Sequence, residues 1–275
     1  MNQRWKIAML ACLLLAGCQT GESGDRSPVG SSEQPPESAV QPGSHEPGET
    51  DQHPVDPVDP DLQLEAKYWN VIKVENGKKV IMNPDNILVL VNKEQSLPPS
   101  YKPADLVVPN VRFSFDDPKA EKRHMRAEAA AALEELFAAA RRDGIELVAV
   151  SAYRSYERQQ VVFAEEVRQK GEAEAVQAVA YPGQSEHQTG LAIDISSRSA
   201  GYQLTEAFGA TKEGQWVAAH AHEYGFIIRY PKGKEAVTGY KYEPWHIRYV
   251  GRKAAVVMKK RDWTLEEYFQ AVKKV

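Results

Sequence analysis

The sequence predicts an α+β fold: a single domain with a mostly antiparallel sheet flanked by helices. Three features predict it. Short runs rich in β-branched and aromatic residues recur: "ILVLVN" (87–92), "IELVAVSAY" (145–153), "LAIDIS" (191–196), "FIIRY" (226–230) and "PWHIRYVG" (244–251). Helical stretches lie between them, joined by loops of uneven length. No repeat period is present.

The N-terminus reads differently. Arg4 and Lys6 precede an uncharged apolar run, Ile7 to Leu15. Spanning a bilayer takes about 20 apolar residues. A basic stretch followed by a short apolar one reads instead as an export signal, residues 1–17. The signal ends Leu15-Ala16-Gly17-Cys18, which resembles the lipobox of bacterial lipoproteins. That resemblance implies lipid on the Cys18 thiol and a protein held on the outer face of the cytoplasmic membrane. An ordinary signal peptide with a chance cysteine is the alternative. Cys12 would leave with the signal, so no cysteine remains for the fold, which must stand on its core alone.

Residues 18–62 read as a disordered tether. The stretch 19–61 holds eight of the seventeen prolines, no aromatic residue, and ten acids against Arg26, a charge of −9. Such a segment cannot bury apolar area, and a flexible chain of this length reaches about 35 Å on average. The formal charge of −4 therefore misleads. Removing Arg4 and Lys6 gives −6, and removing the −9 of the tether leaves +3 on residues 62–275. A mildly basic domain on an acidic tether suits an anionic polymer such as a cell wall. It lacks the strong basic footprint of a nucleic-acid binder, so no nucleic-acid partner is expected.

The domain is expected over 63–275, as a monomer. "ILVLVN" reads as its first clear strand. Residues 121–142 read as a helix, with Met125, Ala129, Leu133, Leu136, Phe137 and Ala140 near helical spacing, His124 as a surface residue at its start and Gly144 as its stop. A second helix, "YERQQVVFAEEVRQKG", closes at Gly171, and "EGQWVAAHAHEYG" forms a third that ends at Gly225. Thr264-x-x-Glu267 is a capping-box pattern opening a C-terminal helix.

The chemistry lies in three segments. In "GQSEHQTGLAID", His187 and Asp194 lie seven apart, the aspartate inside an apolar strand. A buried carboxylate is costly unless it is paired or holds a metal. Strand alternation puts Leu191, Ile193 and Ile195 on one face and Ala192, Asp194 and Ser196 on the other. Asp194 then points toward a site, or else caps a turn or pairs with Arg198. In "YEPWHIRY", Glu243 precedes His246 by three. Zinc commonly takes three protein ligands and leaves a fourth position for water. His187, Asp194 and His246 make such a set, which leaves Glu243 as general base. In a strand, i and i+3 face apart, so a turn or bulge is predicted at Pro244 to bring Glu243 and His246 together. In "SAYRSYERQ", Arg154 stands where a strand turns into a helix, and its planar fork suits a carboxylate or an oxyanion. A surface arginine beside Glu157 is the plain alternative. The His220-x-His222 pair reads as helical, where i and i+2 diverge, and is not expected to bind metal.

These motifs, Tyr153-Arg154-Ser155 with Gln159, Ser185-x-His187-x6-Asp194 and Glu243-x2-His246, resemble the VanY-type zinc carboxypeptidases over roughly residues 85–258. The resemblance implies a hedgehog/D-Ala-D-Ala peptidase-like fold and a Zn²⁺ ion on His187, Asp194 and His246. It implies Glu243 as catalytic base and Arg154 as a second catalytic group, on the scissile carbonyl or the substrate carboxylate. Ser185 and Gln159 would bind the terminal residue of a peptidoglycan stem peptide. Tyr230 and Trp245 would wall the pocket, unless they are plain core aromatics. Family breadth favours a D,D-cut, which releases the last D-Ala of a pentapeptide. The alternatives are an L,D-cut on a tetrapeptide, an endopeptidase, and an inactive wall-binding module on the same fold.

Overall fold

The computed structural model describes residues 59–275. The expectations for the signal peptide, for Cys18 and for the tether up to residue 58 lie outside the described residues. The folded chain starts earlier than Gln63. Asp59 caps a helical turn, Pro60–Leu62, by accepting from the Asp61 N–H at 3.0 Å, and its carboxylate pairs with Arg261 at 2.6 Å. Strand β1 (Gln63–Leu64) then lies parallel to the last strand, β11 (Lys273–Lys274). Residues 59–64 are thus tied to the C-terminal region by this ion pair and by strand pairing. Strands β2 (Ile72–Glu75) and β3 (Lys78–Ile81) form a hairpin that turns on Asn76-Gly77, both at positive φ. Asn-Gly is a strong hairpin signal that the sequence reading passed over. Strand β4 (Gln95–Ser96) lies parallel beside β3.

The run 87–92 is not a strand. Leu88, Val89, Leu90 and Val91 are buried as expected, but side chains satisfy their backbone. Arg248 donates to the carbonyls of Ile87 (3.0 Å) and Val89 (2.9 Å), and the Asn70 amide bonds the Leu90 carbonyl and N–H. The helix expected from 121 is also shorter. Glu121–Arg123 is a single 3-10 turn, and β6 (Met125–Arg126) pairs with β5 (Leu106–Val107) before α1 (Ala127–Arg142) begins. The Lys122 and His124 carbonyls accept from the Ala152 and Tyr153 N–H groups at 2.8 and 2.9 Å, which takes them out of any helical ladder. His124 is accordingly half-buried.

The remaining elements follow the sequence more closely. Strand β7 (Val148–Ser151) leads to α2 (Tyr156–Lys170), capped by the Ser155 hydroxyl and closed at Gly171. A short α3 (Glu172–Ala178) and strand β8 (Ala192–Ser196) come next. Helix α4 (Lys212–His220) continues as a 3-10 turn to Gly225 and β9 (Phe226–Ile228). After α5 (Glu235–Thr238) and β10 (His246–Tyr249) the chain forms α6 (Arg252–Arg261) and α7 (Leu265–Ala271), the latter with the predicted capping box. Helices α3, α5 and α6 were not foreseen.

The central sheet is antiparallel throughout, in the order β7-β8-β10-β9. On one face, Ile193, Ile195, Ile247 and Phe226 pack against Leu133, Leu136 and Phe137 of α1. A second apolar cluster joins Ile227 and Val250 to α6 and α7 through Met258, Leu265 and Tyr268. The opposite face of β8 carries Asp194.

Gly190 sets the entry to β8. Its φ is +67°, and a Cβ there would stand 2.9 Å from Leu106 Cδ2 and 3.1 Å from Arg126 Cγ. Gly190→Ala is expected to destabilise the fold by about 1–3 kcal/mol, from left-handed backbone strain alone. Chemical denaturation of the metal-free protein measures it.

Candidate metal centre

Strand register brings the donors together. Asp194 on β8 is directly opposite His246 on β10. His187 sits on the 3-10 turn Glu186–Thr189, which runs through Gly190 into β8. Asp194 Oδ2 lies 3.3 Å from His187 Nε2, and Asp194 Oδ1 lies 3.0 Å from His246 Nδ1. All three side chains are buried, and their donor atoms fall within 4.8 Å of one another. Asp194 does not cap a turn or pair with Arg198.

The donor chemistry fits a divalent cation. His187 Nδ1 lies 2.7 Å from the Ala152 carbonyl and must donate to it. Its Nε2 is therefore a bare lone pair facing a carboxylate oxygen, an arrangement that needs a cation or a proton between the two atoms. Donors about 2.0–2.2 Å from a tetrahedral zinc stand roughly 3.3–3.5 Å apart, close to the spacings here. Burial lowers the His187 pKa, with the Arg154 charge adding to the effect, so this ring stays neutral and free to ligate. Burial alone would raise the Asp194 pKa, but the two histidines outweigh it and hold the carboxyl well below the usual range. Burial also opposes the charge on His246, yet Asp194 and Glu186 raise its pKa to about 9. In the metal-free protein a proton on His246 thus stands in for a cation.

The turn predicted at Pro244 is present. The His246 N–H donates to the Glu243 carbonyl at 3.2 Å, which closes a β-turn over Pro244-Trp245. The Glu243 N–H is anchored to the Tyr230 carbonyl at 3.0 Å. Burial, with Asp194 and Glu186 adding to it, pushes the Glu243 carboxyl up to about 7, against the pull of His246 and Arg154. Arg154 is not a surface residue paired with Glu157. Its guanidinium donates to Gln159 Oε1 (3.0 Å) and Ser151 Oγ (3.4 Å), and Asp194, Glu243 and Glu121 are anions that act on it.

Gln159 is 1% exposed and engaged at both ends, accepting from Arg154 and donating to the Ala180 carbonyl at 2.7 Å. Both polar ends of its side chain are thus engaged within the protein, one of them on Arg154. Ser185 is buried at the start of the His187 turn, with no capping bond from its side chain. The Tyr230 ring lies 5.1 Å from that of His246 and 4.8 Å from that of Tyr240. Trp245 packs on the main core while its carbonyl accepts from Ile195. Tyr230 therefore packs against a donor ring, and Trp245 packs against the core. His220 pairs with Glu223 at 2.9 Å, and neither it nor His222 joins a donor cluster among the described residues.

Four buried charges escaped the sequence reading. Glu186 Oε1 accepts from Arg229 Nε (2.8 Å) and Arg248 Nη1 (2.7 Å), while Glu266 receives two further bonds from Arg229, at 2.9 and 2.6 Å. Both arginines are fully buried. The signal was available: an arginine inside "FIIRY" and another inside "HIRY" are charges in apolar strands, which demand buried partners.

Asp194 and His246 on paired strands, with His187 on the turn before β8, form a buried cluster of donors that could hold a metal ion, and a carboxyl of raised pKa stands beside it. The comparisons with known proteins specify the family. The profile of the VanY family, D-alanyl-D-alanine carboxypeptidase, matches residues 122–252. YodJ of Bacillus subtilis (strain 168) is 60% identical over 215 residues, 78% of each chain. The chain belongs to the VanY family. Among solved structures, the LdcB LD-carboxypeptidase aligns with a TM-score of 0.75 at 60% identity, over 78% of this chain and 100% of that one. The vancomycin-resistance D,D-pentapeptidase VanY, in complex with Zn(II), aligns with a TM-score of 0.55 at 32% identity, over 66% of this chain and 98% of that one.

Proposed function

We propose that the chain is a zinc carboxypeptidase that removes the terminal D-Ala from peptidoglycan stem peptides. His187, Asp194 and His246 hold the metal, and Glu243 is the general base. The observation that carries this reading is the buried donor set His187, Asp194 and His246, with Glu243 held beside it by the turn at Pro244. Zinc, when bound, supplies Lewis acidity toward a carbonyl oxygen and lowers the pKa of water. The protein's own groups do the rest. Glu243 takes a proton from the attacking water and returns it to the leaving amine. Arg154, held by Gln159 and Ser151, presents its fixed fork to negative charge on the substrate. Ser185 offers a hydroxyl to the terminal residue, and Tyr230 and Trp245 wall the pocket.

Between the two cuts, the comparisons favour L,D. The LdcB LD-carboxypeptidase matches along its whole length at 60% identity, against 32% for the D,D-pentapeptidase. The D,D-cut expected from family breadth is the second reading, supported by the family profile. The chain is incubated with zinc and a synthetic stem tetrapeptide or pentapeptide, and the products are read by mass. Loss of D-Ala from the tetrapeptide supports L,D. Loss from the pentapeptide alone selects D,D. Cleavage of neither by zinc-loaded protein leaves an endopeptidase or an inactive wall-binding module.

A lipid on Cys18 and a tether to the outer membrane face complete the proposal, with the domain acting as a monomer. Gln159→Leu is expected to lower kcat/KM roughly 10- to 100-fold, by freeing Arg154 from one charge-assisted hydrogen bond. Unchanged kinetics on the preferred peptide would remove Gln159 from the site.

A further inference from the structure

The buried charges behind the donor set take no part in the chemistry above. We propose that Glu186, clamped by Arg229 and Arg248 and backed by Glu266, is a positioning residue that commits His246 to bind metal through Nδ1, so that helix α7 contributes to metal retention. The inference rests on the zinc reading of His187, Asp194 and His246.

Glu186 has no freedom to move. Its Oε1 is filled by the two guanidinium groups, which leaves Oε2 facing His246 Nε2 at 3.5 Å. Arg248 is itself fixed by the carbonyls of Ile87, Val89 and Tyr249, and Arg229 by the paired bonds to Glu266. The two arginines balance the two glutamates, so the cluster adds no net charge beside Asp194. With the Oε2 acceptor holding a proton on Nε2, the nitrogen left to the metal is Nδ1, which faces Asp194 Oδ1 at 3.0 Å among the donors. His187 is set in the opposite sense: the Ala152 carbonyl holds its proton on Nδ1 and leaves Nε2 to the metal. A single 3-10 turn thus carries one ligand, His187, and the residue that orients the other. The outer clamps, Ile87, Val89 and Glu266, all lie outside the 122–252 stretch that matches the family profile.

The test compares zinc affinity, by competition with a chromophoric chelator, across full-chain variants. Glu186→Gln keeps the shape and removes the charge; about 10- to 100-fold weaker zinc binding is expected. Glu266→Gln is expected to weaken binding less, in the same direction, and carries the test if Glu186→Gln does not fold. Glu267→Ala is the control. It breaks the capping box and the Lys234 pair of α7 without touching Arg229, so it should lower stability and leave zinc affinity unchanged. Histidine ¹⁵N spectra of the zinc-loaded wild type should place the proton on Nε2 of His246 and on Nδ1 of His187. Wild-type zinc affinity in both glutamine variants, or equal weakening by Glu267→Ala, overturns the inference while leaving the zinc site intact. Wild-type protein that takes up no zinc overturns the zinc reading itself, and the inference with it.

Discussion

Glu243→Gln is expected to lower kcat on the preferred stem peptide by about 10²- to 10⁴-fold and to leave zinc binding at one per chain intact. The amide matches the carboxylate in size but can neither take a proton from water nor return one to the leaving amine. Glu243 stands next to the donor set without belonging to it, its backbone pinned by Tyr230 on one side and by His246 on the other. The substitution should therefore separate catalysis from metal binding. Asp194→Asn should not separate them, because it removes a ligand charge and loses both together. Mass analysis of products, paired with metal content, checks both variants. A Glu243→Gln protein with near wild-type turnover would strip Glu243 of its role.

The second large effect is on pH. In the metal-free protein His246 holds its proton up to about pH 9, because Asp194 and Glu186 outweigh burial. His187 is kept neutral by burial and has no proton to give up. Zinc must therefore displace one proton near neutral pH, and its apparent affinity should fall about tenfold for each pH unit below 9, down toward 7. Calorimetry in two buffers of different ionisation enthalpy should count close to one proton released at pH 7.5. A pH-independent affinity would contradict the site as described.

His246 and Glu243 also make the stability of the metal-free chain depend on pH. The folded His246 pKa lies above its unfolded value of 6.5, so this contribution is fully present below pH 6.5 and is lost as pH rises through about 9. Glu243 is raised from 4.5 to about 7, so the folded state prefers it protonated and loses stability as pH rises across that interval. Both act in one direction. Burial lowers the His187 pKa and works the other way below about pH 6.5, so the melting temperature of chelator-treated protein should fall between pH 7 and pH 9. The zinc-loaded protein should lack the part due to His246.

Much of the site is legible in the residues themselves. An aspartate within "LAIDIS" has to be paired or coordinated, and alternation alone places it on the face opposite Ile193 and Ile195. A proline between Glu243 and His246 requires a turn, and the turn is there. These inferences held because they rest on local geometry and on the cost of burying one charge. Local reasoning failed where a distant group satisfied the backbone. "ILVLVN" has strand composition, but Arg248, some 160 positions away, takes the carbonyls that a neighbouring strand would have bonded. The helix expected from residue 121 was shortened for the same reason, by bonds to Ala152 and Tyr153.

Sequence by itself therefore determined the fold class, the antiparallel strands of the central sheet and the grouping of His187, Asp194 and His246 with Glu243 nearby, because each follows from side-chain periodicity or from the demands of one buried polar group. Only the tertiary structure decided the register that sets Asp194 opposite His246, the hold of Gln159 on Arg154, and the Glu186–Arg229–Arg248–Glu266 cluster behind the donors. Buried ion pairs join residues remote in the chain, and their partners become known only when folding has brought them within a hydrogen bond of each other.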